Sequence, residues 1–110
     1  MATATRIQTR HWPHFVPFLA DLKPFRCYGA LRGAAVRAGH ASTLDLGRLP
    51  AENADSLRHP TTDYVVYSYA TPIAWHNMVG WHMPDVKYSL TTTMHQHTIR
   101  TAFSDLGPPR

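Results

Sequence analysis

The sequence predicts an α+β fold: a small antiparallel sheet with strands near 64–70, 73–76, 81–83 and 86–90, and another at 25–31, packed by a C-terminal helix near 93–103. Three observations predict it. "DYVVYSYA" (63–70) carries Tyr and Val on both of its alternating faces, as a strand covered on both sides requires. "IAWHNMVGWHM" (73–83) places two aromatic-bearing runs around the segment Asn77 to Gly80, which reads as a hairpin. His95, Ile99, Ala102, Phe103 and Leu106 then recur at i, i+4, i+7, i+8 and i+11, one stripe of a helix turned toward the sheet. Antiparallel strands followed by a helix give the α+β class.

Taken in order, residues 1–11 are polar and aperiodic and are expected as a flexible arm, with 12–106 as one domain and 107–110 as a tail. "PHFVPFLADLKP" supports a short helix through Phe15, Phe18, Leu19 and Leu22, with Pro17 tolerable only in its first turn and Lys23-Pro24 closing it. "FRCYGALRG" alternates, with Phe25, Cys27 and Leu31 on one face and Arg26, Tyr28 and Arg32 on the other. Residues 33–49 read as irregular, and 50–58 as a short helix with Pro50 at its first position. Pro72 cannot donate to a ladder, so the chain must end its strand, bulge or lie at an edge there. After the Pro84-Asp85 turn, "VKYSL" alternates once more as the strand at 86–90.

"TTTMHQ" (91–96) reads as a helix start. Thr92 or Thr93 is the N-cap, and Thr93 with Gln96 fits a T-x-x-Q capping box. His95 follows in the first turn, on the apolar stripe, where its ring nitrogens would meet backbone or Ser/Thr groups.

The chain has 110 residues, enough for one core, and its 44% hydrophobic and 16% charged content excludes a disordered chain. No apolar run approaches the roughly 18 residues of a membrane span. "MATATRIQTRHWPHF" has no apolar core of a secretion signal, and the lone Cys27 has no partner in the chain for a disulfide. The expectation is a cytoplasmic protein without a membrane partner.

The formal charge of +4 is unevenly placed: residues 1–50 hold seven Lys/Arg against two acidic residues, and residues 51–110 four against five. A basic N-terminal half points to nucleic acid or an acidic partner. Eight histidines raise a metal site, yet spacing opposes one. His95 and His97 on a helix stand about 200° apart, and His76 and His82 fall on opposite faces if His76 faces Trp81. No nucleophile motif surrounds Ser68 or Ser89 and no glycine loop suits a phosphate, so no catalytic residue, metal or cofactor is assigned.

The second half, "VVYSYATPIAWH…GWHMPDVKYSLTTTMHQ", resembles a set of small phage proteins, especially of actinobacteriophages, that share roughly S-Y-x-T-x-I-A and then Y-S-x-T-T-x-x-H-Q. The matching positions are Ser68, Tyr69, Thr71, Ile73 and Ala74, followed by Tyr88, Ser89, Thr91, Thr92, His95 and Gln96. Upstream, "LKPFRCYGALRG" and "GRLP" extend the likeness, while Met94 stands where that group has a charged or small residue. The resemblance implies a phage gene product in the cytoplasm of an infected bacterium and brings no established activity.

Two functional expectations follow. One is an accessory protein that contacts a host protein through aromatics such as Trp12, Trp75 and Trp81. The other is a nucleic-acid-binding module in which Arg26, Tyr28 and Arg32, with Lys23 and Arg37 nearby, offer phosphate contacts and a stacking surface.

Overall fold

The computed structural model describes residues 4–8, 11–27 and 30–106. Six strands form one sheet in sequence order: β1 (Thr5–Ile7), β2 (Phe25–Cys27), β3 (Leu31–Ala35), β4 (Tyr64–Ser68), β5 (Thr71–Asn77) and β6 (Gly80–His82). Every neighbouring pair is antiparallel except β1 with β2, which run parallel. The helices are α1 (Val16–Ala20), α2 (Ala54–Leu57) and α3 (Leu90–Leu106). Together they make the α+β fold that the sequence predicts, with the C-terminal helix packed on the sheet.

The strand β4 explains the layering. Tyr64, Val65 and Val66 are all fully buried, so both faces of the sheet are covered at its centre. On one face Tyr64 and Val66 join Phe15, Leu19, Phe25, Ile99 and Phe103 beneath α1 and α3. On the other, Val65 and Trp75 meet Leu49 and Leu57 from the segment between β3 and β4. Trp75 Nε1 donates to Ser56 Oγ at 3.0 Å and Asn77 Nδ2 to the Ser56 carbonyl at 3.2 Å, which ties α2 to β5. Pro72 is accommodated by a bulge: Val66 pairs with Ala74 but Tyr67 pairs with Pro72, leaving Ile73 as the extra residue.

Four sequence expectations are corrected. Thr5–Ile7, expected in a flexible arm, form the edge strand β1, held because Ile7 is buried in the core; residues 1–3, 9–10 and the tail at 107–110 lie outside the described residues. The strand at 25–31 is two strands, since Ala30 adopts φ 64 and the chain reverses into β3. Consequently β3 (Leu31–Ala35) takes residues 33–35 from the stretch read as irregular.

The strand at 86–90 does not form. The ladder ends at His82, and the segment crosses to α3, where Leu90 is helical and 79% exposed and so cannot share an inward face with Tyr88. The cap is likewise one turn earlier: Ser89 Oγ accepts from the Thr92 N–H at 3.4 Å and the Ser89 carbonyl from the Thr93 N–H at 2.9 Å. Thr93 is therefore inside the helix, and Gln96 turns away from the cap to donate to the Val86 carbonyl at 3.0 Å.

Tyr64 crosses the sheet to donate its hydroxyl to the Lys23 carbonyl at 2.7 Å. Burial pushes its phenol well above the ordinary 10.0, so the folded group stays protonated after the unfolded one begins to ionise. Stability from this group is complete below pH 10.0 and is lost as pH rises beyond it. The expected loss is at most about 1.4 kcal/mol per pH unit, read as falling urea midpoints and reduced in Tyr64→Phe. Midpoints that hold steady well above pH 10 would mean that the phenol ionises freely in the fold.

Candidate functional site

Register assembles the basic residues. Arg6 pairs with Arg26, Arg26 with Arg32, and Arg32 with Tyr67. Directly paired residues project to the same face, so three guanidinium groups and a phenol form one row across β1 to β4. With strands about 4.8 Å apart, the three arginines span roughly 10 Å. Arg6, Arg26 and Arg32 are all exposed, because the segment that covers this face reaches only the half of the sheet around β4 and β5. The Arg32 guanidinium lies 4.1 Å above the centre of the Tyr67 ring. Burial raises the Tyr67 phenol above its ordinary value, Arg32 lowers it and Asp45 raises it again, so opposing charges both reach this ring.

Like charges opposite one another on a ladder destabilise it. Among the described residues no carboxylate stands within ion-pairing distance of Arg26 or Arg32. Arg26 and Arg32 thus face each other, among the described residues, without an acidic partner.

Of the residues expected in a nucleic-acid site, the structure brings Arg26 and Arg32 together, although through a hairpin rather than along one strand. Lys23 stands apart, with its Nζ 3.9 Å from Asp21. Arg37 is exposed two residues beyond β3, and Tyr28 lies outside the described residues. Sequence reasoning missed Arg6 and Tyr67. Arg6 sits in a three-residue strand too short to show alternation, and Tyr67 reads simply as part of a buried strand.

The motif residues gather at the opposite face, where β4 meets α3. His95 is buried, and its Nδ1 lies 2.6 Å from Ser68 Oγ, which also donates to Thr92 Oγ1 at 3.0 Å. This is the docked histidine that the helical stripe predicts. Tyr69 follows Ser68 at φ 57, a left-handed conformation that costs a non-glycine residue energy, and its ring centre is 6.3 Å from that of His95. Thr71 Oγ1 accepts from the Arg48 N–H at 3.0 Å.

Residues 37–105 match a family of unknown function, DUF8033. The chain belongs to that family. No curated protein and no solved structure matches it. Ser68, Thr71, Thr92 and His95 all fall within the part matched to DUF8033, whereas Arg6, Arg26 and Arg32 precede it.

The three tryptophans expected as a contact surface serve the core instead. Trp75 is buried with its ring stacked on His82, Trp81 packs against Phe103 and edge-on to Tyr64, and Trp12 lies partly buried against the same cluster. His76 does face Trp81, which sends His82 to the other side of the ladder. Among the described residues no group of three or more His, Cys, Asp or Glu is placed to hold a metal ion. None of the described helices is long and apolar enough to cross a membrane.

Proposed function

We propose that this chain is a small accessory protein, phage-encoded as its sequence resemblance implies, that binds single-stranded nucleic acid on the open half of its sheet. The observation that carries the reading is Arg26 directly opposite Arg32 with no carboxylate, among the described residues, within ion-pairing distance of either. An uncompensated pair of this kind suits phosphates, which supply the missing charge on binding. Arg32, whose guanidinium carbon lies over the Tyr67 ring, offers a planar group on which a base can stack. A host-protein partner has less support, since the tryptophans that such an interface would favour are taken up by the core.

Fluorescence anisotropy with short single-stranded DNA and RNA tests it. With about three phosphates neutralised, log affinity should fall against log salt with a slope near −2, and Arg26→Gln with Arg32→Gln should reduce that slope by roughly 1.4. No binding of either strand at low salt removes the reading. A pull-down from bacterial lysate that keeps a host protein after nuclease treatment would replace it with protein contact.

A further inference from the structure

Between the β4–β5 turn, the loop leading into Leu49 and the start of α3 lies a cavity of about 290 Å³. Among the described residues, Arg48 is the only charged one that lines it, and the others are serines, threonines and tyrosines. Gly47, at φ 56, lets the loop press close: a Cβ there would stand 2.5 Å from the Ala70 carbonyl oxygen and 2.8 Å from Thr71 Cα. The Arg48 N–H is then fixed on Thr71 Oγ1, which holds Arg48 in the lining.

The hydroxyl groups are arranged as donors. With His95 donating from Nδ1, Ser68 accepts from the ring and passes its own hydrogen to Thr92 Oγ1. Ser89 Oγ, 3.3 Å away, donates to the same oxygen. Thr92 is 6% exposed and lines the cavity, so its own hydrogen is left to seek an acceptor there. Tyr88 also lines the cavity, with its hydroxyl buried away from that space. The first turn of α3 borders the space through Thr91 and Thr92, which adds the positive end of a 17-residue helix.

We propose that this cavity binds a phosphate-type oxyanion, with Arg48 supplying the charge and the Thr92 hydroxyl donating to one of its oxygens. Among the described lining residues, one cation with hydroxyl groups and no acid makes an acceptor-only, negatively charged ligand the complementary one. The volume sits at the lower end of small-molecule sites, which begin near about 300 Å³, so the phosphate would carry at most a small esterified group inside. The site is independent of the arginine row, which lies on the other face.

Calorimetric titration of the full chain with inorganic phosphate, at an ionic strength held constant with chloride, should show saturable binding. Arg48→Gln is expected to weaken it by about tenfold or more. Arg26→Gln with Arg32→Gln should leave phosphate binding unchanged even where it abolishes strand binding. Glycerol phosphate and a nucleoside 5′-monophosphate separate the sources: tighter binding of either assigns the cavity to a phosphomonoester, and equal or weaker binding to the free ion. Absence of saturable binding by all three, or binding indifferent to Arg48→Gln, overturns the proposal.

Discussion

Gly33→Ala is expected to lower stability by roughly 2 to 4 kcal/mol, combining overpacking with the loss of a buried hydrogen bond. A Cβ at this position would overlap the Tyr64 hydroxyl and stand 2.5 Å from Phe25 Cε2. Neither neighbour can yield easily. Phe25 is fully buried with its ring edge-on to both Phe15 and Phe18, and Tyr64 is fixed by its bond to the Lys23 carbonyl. Urea denaturation of Gly33→Ala, Tyr64→Phe and the double variant checks the cause. Removing the hydroxyl relieves half of the overlap, so the double variant should be more stable than the sum of the single losses implies. Strict additivity would show that the crowding lies elsewhere.

His95→Ala should cost a similar amount, on the order of 2 to 4 kcal/mol, since it opens a space under α3 and takes a partner from the buried Ser68 hydroxyl. The choice of replacement is diagnostic. Ser68 meets Nδ1, the ring nitrogen nearer the backbone, and an asparagine amide reaches that position better than a glutamine amide. His95→Asn should therefore retain about 1 kcal/mol more than His95→Gln. Thermal melts of the three variants distinguish the outcomes. An alanine variant that melts like the parent chain would mean that the Ser68–His95 contact is maintained for a reason other than stability.

Long-period patterns were readable directly. The helical stripe that begins at His95 and the doubly apolar β4 place α3 and the sheet centre, because burial on a fixed face imposes periodicity on the residues themselves. Boundaries set by a single backbone angle were not readable. Nothing in the alternation of 25–31 announces that Ala30 turns left-handed, and so one strand became two. The cap was misplaced because four hydroxyl residues, Ser89, Thr91, Thr92 and Thr93, are equally good candidates locally. Burial of Thr92 against Ser68 decided between them. For the candidate nucleic-acid face, sequence proximity found Arg26 and Arg32, while Arg6 and Tyr67 joined them only through pairing across the sheet. Arg48 carried no signal of its own, since its place beside Thr71 depends on contact between residues 23 apart in the chain.

The pairing of β3 with β4 bears on how the chain is divided. The segment shared with the family begins at residue 37, just after β3 ends at Ala35. Five residue pairs from Leu31–Ser68 to Ala35–Tyr64 join the two strands across that boundary. Cut there, the shared segment would keep its helix and hairpin but present its most apolar strand as a raw edge, with a row of unpaired amides open to any passing strand. The stretch before residue 37 supplies the strand that covers this edge, so the shared segment, cut at its own boundary, would lack the partner that closes its sheet.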